Sequence, residues 1–143
     1  MGKKRIIKKG GNDNTSSKSR ASGRVPKKKI ERGILHILAT YNNTNILLTD
    51  LTGNAVLSAS SGGLGYKGSK KGTPFAAGKA GDVLAEKASA IGVKDIDVII
   101  KGVGSGRESA IRSFIARGIN IASIKDKTPI PFNGPKAKKP RRV

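Results

Sequence analysis

The sequence predicts a single α/β domain, in which a mixed five-stranded sheet carries two crossover helices and two basic tails flank the domain. The length of 143 residues suits one compact domain and is too short for two. β-Prone residues form five short segments, and apolar residues recur at helical spacing in two longer ones. The resulting order is β-β-β-α-β-α-β, and its βαβαβ half predicts right-handed crossovers between parallel strands.

The first three strands are expected to form an antiparallel meander. Residues 33–41 and 45–50 are β-prone and are separated by an Asn-Asn-Thr turn. The third strand, residues 55–61, follows a hairpin turn at residues 50–54. Residues 62–72 are rich in glycine and lysine, which indicates a loop after the meander.

The second half of the domain alternates helices and strands. Thr73, followed by a proline, is a typical N-cap, and the helix that it begins is expected to end at Gly92. A buried strand at 95–101 precedes a helix over about 107–117 and a last strand at 119–127. The residues expected to face the core are Phe75, Ala76, Ala80, Val83, Leu84, Ala88 and Ile91 in the first helix, and Ala110, Ile111, Phe114 and Ile115 in the second.

Positive charge is concentrated at the two ends of the chain. The chain carries 29 Lys and Arg against 9 Asp and Glu, for a net charge of +20, whereas solubility needs only about 2–8 charges. Residues 1–32 carry +10 and are expected to be a basic arm that is disordered in isolation. Residues 128–143 carry +5 and four prolines, which predicts an extended tail around a core at 33–127. Such an excess predicts a polyanionic partner, with nucleic acid first.

The composition argues against several other classes of protein. The absence of cysteine excludes a disulfide scaffold, a Cys-ligated metal site and a thiol enzyme. No apolar run is long enough to span a membrane, and no apolar signal segment follows the basic start, so we expect no membrane partner and no signal peptide.

Catalytic chemistry is not predicted. The only histidine, His36, lies within the first strand, and one histidine without an orienting carboxylate does not make a nucleophile–base pair. Asp50, Asp95, Asp97 and Asp126 lie at strand ends, and a pair of them holding Mg²⁺ for nuclease chemistry is an alternative. We expect a non-enzymatic protein without cofactor or metal.

The glycine turn before the second helix admits two interpretations. Gly102, Gly104 and Gly106 follow a strand and open a helix, but Arg107 occupies the position where a dinucleotide-binding fingerprint needs glycine. No Walker sequence is present either. The turn could present backbone N–H groups and Arg107 to an RNA phosphate, or it could be a tight β-to-α turn without a ligand.

The lysine-rich loop is a stronger candidate for phosphate binding. Lys67, Lys70 and Lys71 are interleaved with glycines that allow a partner to approach closely, although a solvated loop is the alternative. Phe75 and Phe114 are assigned to the core, so no aromatic platform for base stacking is expected. The sequence therefore predicts binding through phosphates and RNA shape, with a steep dependence on salt.

Ordered motifs run along residues 30–143. They read HILATYNNTNILLTDLTGN at 36–54, SSGGLGYKGSKKGTPFAA at 60–77, KGVGSGRESAIRSF at 101–114, GINI at 118–121, and IKDKTPIPFNG ending in KKPRRV at 124–143. Together they resemble the family of small-subunit ribosomal protein eleven, the universal platform protein, in its bacterial or organellar form. Two departures occur in the tail: Phe132 stands where the family usually has histidine, and Pro-Lys-Ala-Lys at 135–138 stands where it usually has Cys-Arg-Pro-Pro.

The resemblance implies a function in the ribosome. It implies a ribonuclease-H-like fold without nuclease activity, bound to small-subunit rRNA in the platform, where it bridges rRNA helices near the mRNA exit and the Shine–Dalgarno duplex. The implied protein neighbours are ribosomal proteins seven and eighteen, and no homo-oligomer is expected. The expected location is the cytoplasmic ribosome, with an organellar ribosome as an alternative. A nucleic-acid-binding accessory protein of the same fold that works off the ribosome is the alternative function.

The resemblance also implies which residues contact rRNA, and the basic end of the N-terminal arm adds further candidates. The implied contacts are Asn42, Asn43, Lys67, Lys70, Lys71, Arg107, Asn133, Lys136, Lys138, Lys139, Arg141 and Arg142, and the arm adds Lys27, Lys28 and Lys29.

Overall fold

Five strands form one mixed sheet in the computed structural model, which describes residues 29–139. The strands are β1 (Arg32–Ala39), β2 (Thr44–Thr49), β3 (Ala55–Ser60), β4 (Asp95–Lys101) and β5 (Asn120–Asp126). Their order across the sheet is β3-β2-β1-β4-β5, with β2 antiparallel to both of its neighbours and β1, β4 and β5 mutually parallel. This confirms the predicted α/β class. Most of the predicted arm (1–28) and the last four residues (140–143) lie outside the described residues.

Two helices connect the parallel strands. They are α1 (Pro74–Ile91) and α2 (Arg107–Ala116). The Thr73 hydroxyl accepts a hydrogen bond from the Ala76 amide at 3.3 Å, which confirms the predicted N-cap. The chain leaves α1 through Gly92 at a φ of 96°, a left-handed conformation that glycine adopts without strain.

The core lies between the helices and one face of the sheet. Residues alternate between buried and more exposed positions along β1 and β4, as expected for strands covered on one face. The largest fully buried side chains include Leu35, Leu48, Leu84, Val98 and Phe114. Burial of each such side chain contributes roughly 1.5–3 kcal/mol, so this layer supplies much of the driving force for folding.

Two residues predicted to face the core are exposed instead. Phe75 is 66% exposed and Ile115 is 57% exposed. Phe75 lies in the first turn of α1, at a position that the helical spacing assigns to the core. The rest of the domain does not cover this turn, so the ring stays exposed. Ile115 lies in the last turn of α2, directly after the fully buried Phe114, whereas the consecutive residues Ala110 and Ile111 earlier in the helix are both buried.

The predicted loop at residues 62–72 is more regular than expected. It contains two 3-10 segments, Gly62–Leu64 and Gly68–Gly72. Of the helices within residues 29–139, none is both long enough and apolar enough to cross a membrane.

Candidate nucleic-acid interface

The loops that carry most of the predicted RNA contacts lie at one end of the sheet. β1, β4 and β5 are parallel, so the segments that follow them leave the sheet at the same edge. β3 also ends there, because β2 runs antiparallel to β1 and to β3. We call this edge the loop end; it comprises residues 40–43, 61–73, 102–106 and 127–139.

Hydrogen bonds lock the loops of the loop end together. The Asn43 side-chain oxygen accepts from the Gly62 amide at 3.1 Å, and the Ser105 hydroxyl donates to the Gly72 carbonyl at 2.8 Å. A β-carbon at Gly72 would lie 2.1 Å from the Tyr41 carbonyl oxygen, so only glycine permits this approach. The loops are therefore held in place before any ligand binds.

The side chain of Asn43 belongs to this internal framework. The Asn43 side-chain NH₂ donates to the Asn45 side-chain oxygen at 3.0 Å, and its backbone amide donates to the Thr40 hydroxyl at 3.1 Å. The Asn42 side-chain oxygen is buried. The amide side chain of Asn43 thus holds the loops that present the neighbouring lysines.

The three lysines of the 61–73 loop are accessible cations of the loop end. Lys67 and Lys70 are exposed, and Lys71 is half-buried with its stem packed near Gly62. None of the three takes part in an ion pair among residues 29–139. Their ammonium groups can therefore neutralise phosphates without first breaking a salt bridge.

The glycine turn before α2 packs against the protein itself. β-Carbons at Gly102 and Gly104 would lie 2.1 and 2.3 Å from the carbonyl oxygens of Ala39 and Thr40. The Gly104 amide donates to the Ala39 carbonyl at 3.0 Å, so it is not directed at a ligand. The geometry favours the second interpretation of this turn, a tight β-to-α connection, over a phosphate cradle.

Arg107 anchors the start of the C-terminal tail. Its guanidinium donates to the Gly102 carbonyl at 2.7 Å and pairs with the Asp126 carboxylate. Asp126 also accepts from the Thr128 hydroxyl at 2.6 Å and the Thr128 amide at 2.9 Å, and the Thr128 hydroxyl accepts from the Gly102 amide at 3.2 Å. Hydrogen bonds from Thr128 and Arg107 lower the pKa of Asp126 to about 2. The Arg107 charge is consequently shared with Asp126.

Sequence reasoning missed the part that Asp126 and Thr128 play in this anchor. A threonine two residues after an aspartate at a strand end is a local signal for a side-chain-capped turn. The partner of that turn, Arg107, is distant in sequence, so the complete anchor is visible only in three dimensions.

Beyond this anchor the tail is exposed along residues 129–139. It contains Lys136, Lys138 and Lys139, and Asn133 adopts a left-handed φ of 51°. Lys29 precedes β1 and therefore lies at the edge of the sheet opposite the loop end. The other predicted contacts, Lys27, Lys28, Arg141 and Arg142, lie outside the described residues.

Charge differs between the two edges of the sheet. Residues 61–73 and 127–139 contain seven lysines and no acidic residue. At the opposite edge, basic residues such as Lys94 and Arg117 are mixed with Glu31, Asp50 and Asp95. The loop end is thus the cationic edge of the described domain.

Three of the four carboxylates considered for a nuclease have hydrogen-bond or ion-pair partners in different parts of the domain. Asp50 accepts from the Thr52 and Asn54 amides within the β2–β3 hairpin, whereas Asp126 belongs to the tail anchor. Asp97 pairs with Arg32 at 3.0 Å. Across residues 29–139, no group of three or more His, Cys, Asp or Glu side chains could hold a metal ion.

His36 lies on β1, on the face of the sheet opposite the helices, with its ring 3.4 Å from the Thr49 hydroxyl. Burial, together with the charges of Lys101 and Lys127, lowers the pKa of His36. The ring is thereby kept neutral near pH 7.

A rigid cationic edge on a small α/β domain defines the class of protein: a basic protein built to bind nucleic acid. The family model for ribosomal protein S11 matches residues 33–142. The chain belongs to this family, whose members are structural constituents of the small ribosomal subunit and bind rRNA. The family is a structural one and not a family of enzymes, and it associates with rRNA and with other ribosomal proteins in the ribosome.

Proposed function

We propose that the protein lies in the platform of the small subunit, where it bridges separate rRNA helices and helps to form the mRNA exit cleft. That cleft accommodates the Shine–Dalgarno duplex, and ribosomal proteins seven and eighteen are the neighbours. The ribosome concerned is cytoplasmic and of the bacterial type. The role is one of positioning, because the protein contributes charge and shape instead of reacting groups.

One observation carries the proposal: four separate segments converge on the loop end, and two of them contribute seven lysines and no acidic residue. RNA carries one negative charge per phosphate, and helices that pack together repel each other. A cationic surface placed between them neutralises that repulsion and releases counterions, which is the main source of affinity in such complexes.

The residues divide into two roles in this proposal. Lys67, Lys70 and Lys71 contact phosphates directly, while Arg107 and Asn43 hold the loops in position. The tail at 128–143 and the arm at 1–32 extend the contact from the core at 33–127 to further RNA. Lys136, Lys138, Lys139, Arg141 and Arg142 act in the tail, and Lys27, Lys28 and Lys29 act in the arm.

The test is to replace the three loop lysines together, as Lys67→Gln, Lys70→Gln and Lys71→Gln, in the full chain. The dissociation constant for small-subunit rRNA is then measured by filter binding over a range of salt concentrations. Each phosphate contact contributes about 0.7–0.9 to the slope of log K against log salt, so we expect the slope to fall by about 2–3. Incorporation into reconstituted small subunits should fall in parallel.

The matched control removes the same charge from the opposite edge, as Lys87→Gln, Lys94→Gln and Arg117→Gln. These cations lie in the core domain away from the loop end, and the Arg117 guanidinium faces Glu86. The control should retain most of the salt slope and should enter subunits. Equal losses in both triple variants would show that net charge, and not the loop end, determines binding.

A further inference from the structure

Two aromatic side chains, the exposed Phe75 and the half-buried Tyr66, form a pair beside the lysine loop. The rings of Tyr66 and Phe75 meet edge to face, with centroids 6.3 Å apart and planes at 89°. The Lys79 ammonium lies 5.7 Å from the centroid of the Phe75 ring. Phe75 is nevertheless 66% exposed, so most of its surface contacts nothing in the described domain. The assignment of Phe75 to the core, on which the expectation of no aromatic platform partly rested, was wrong.

The backbone that carries Phe75 is held firmly. Thr73 caps the helix by accepting from the Ala76 amide, and its hydroxyl also donates to the Lys70 carbonyl at 2.7 Å. Pro74 at the first helical position fixes its own φ. The ring is therefore preorganised, although it contributes little to the core.

Besides Lys79, two further lysines lie near this pair in the chain. Lys67 follows Tyr66 directly, and Lys70 lies within the same loop. The Lys79 ammonium lies 3.9 Å from the Asp82 carboxylate, and both side chains are partly exposed. A flat apolar ring bordered by ammonium groups matches a nucleotide, which offers a flat base beside a negative phosphate. An apolar protein surface would match the ring and leave the ammonium groups unpaired.

We propose that Phe75, supported by Tyr66 and bordered by Lys79, stacks an unpaired RNA base while the loop lysines contact the phosphates on either side. This inference rests on the proposed function and adds a subsite to it. A base in a helix has both faces covered by its neighbours, so the occupant is a nucleotide from a single-stranded or bulged segment.

The first experiment identifies the contact in the full-length wild-type protein. A single-stranded RNA hexamer carrying 5-iodouridine is photocrosslinked to the protein, and the crosslinked peptide is mapped by mass spectrometry. Iodouracil couples efficiently to aromatic rings that stack on it, so we expect the crosslink at Phe75 or Tyr66. Crosslinks found only at other residues would overturn the proposal, whatever the behaviour of any variant.

The second experiment measures affinity by fluorescence anisotropy at constant salt. Phe75→Leu retains an apolar side chain but lacks a π-face, and we expect binding of the single-stranded hexamer to weaken about 5-fold or more. Phe75→Trp should retain wild-type affinity, since it offers a larger ring. A short RNA duplex should bind Phe75→Leu and the wild type equally. Leu51→Ala, which alters a 60% exposed residue in the distant β2–β3 hairpin, is the control and should change neither affinity.

The outcomes separate this inference from the function on which it rests. If Phe75→Leu binds the hexamer as the wild type does, or loses hexamer and duplex affinity equally, the stacking subsite is refuted. The loss of salt slope in the triple lysine variant would then still support the proposed function. If neither the aromatic nor the lysine variant changes RNA binding, both ideas fail together.

Discussion

At the scale of single residues, the loop end separates groups that hold the structure from groups that face outward. Asn43, Ser105 and Thr128 direct their side chains to backbone atoms of other loops. Lys67 and Lys70 stay exposed beside them. The lysines of the loop end repel each other. The loops therefore keep their shape without a ligand only if polar side chains such as those of Asn43, Ser105 and Thr128 fix them.

The Asp126 carboxylate offers a direct test of the tail anchor. We expect an NMR titration to give a pKa of about 2, below the ordinary 3.8, because Thr128 and Arg107 donate hydrogen bonds to the ionised form. Thr128→Val removes the hydroxyl donor and should move the pKa back toward 3.8. An unchanged Asp126 pKa in Thr128→Val would contradict the anchor.

The lowered pKa of Asp126 also predicts how the stability of the fold changes with pH. The folded-state pKa of Asp126 is depressed, so the ionised carboxylate stabilises the fold above the unfolded pKa. That contribution is lost as pH falls from about 4 through about 2. Acid should therefore loosen the start of the tail at Thr128 without requiring the sheet to unfold.

At the scale of elements, the close contact between α1 and α2 requires glycine at position 81 but not at position 78, one turn earlier in α1. A β-carbon at Gly81 would lie 2.8 Å from the Ser113 β-carbon and 3.0 Å from the Ala110 carbonyl oxygen. At Gly78 the nearest atoms, in Ser109 and Ser113, are 3.9 Å away, which is ordinary contact. The two positions lie on one helix and differ mainly in the space beside them.

These two glycines give a matched pair of predictions. Gly81→Ala should lower the free energy of unfolding by about 1–2 kcal/mol, because the helices must separate to admit the methyl group. Gly78→Ala should raise it by about 0.5–1 kcal/mol, because alanine is the better helix former and has room. Urea unfolding of both variants measures the difference. Stabilisation by both substitutions would show that α2 can shift without cost.

The sequence predicted the bounds of the helices and strands better than it predicted which of their side chains are buried. The cap at Thr73, the exit at Gly92 and the hairpin at 50–54 were predictable, because each depends on residues adjacent in the chain. Phe75 was assigned to the core because helical spacing fixes the direction of a side chain along the helix. That spacing does not reveal where the neighbouring layer ends, so the exposure of Phe75 could not be predicted.

At the scale of the whole molecule, the tail is separable from the domain. Residues 129–139 are exposed, and the anchor at Thr128 lies before them. A chain that lacks residues 134–143 should therefore melt at the wild-type temperature, as followed by circular dichroism. The same truncation removes five basic residues, so its incorporation into reconstituted small subunits should fall. A lower melting temperature would show that the removed segment stabilises the core.

By itself the sequence determined the α/β class, the order of the elements, the excess of positive charge and, through its motifs, the resemblance to a ribosomal family. Those properties follow from composition and from local or periodic patterns, which a linear chain carries in full. Only the tertiary structure decided that Arg107 pairs with Asp126, that the glycine turn packs against Ala39 and Thr40, and that Phe75 stays exposed. Each of these depends on how segments distant in the chain pack in space, and parallel strands with crossover connections bring such segments to one edge.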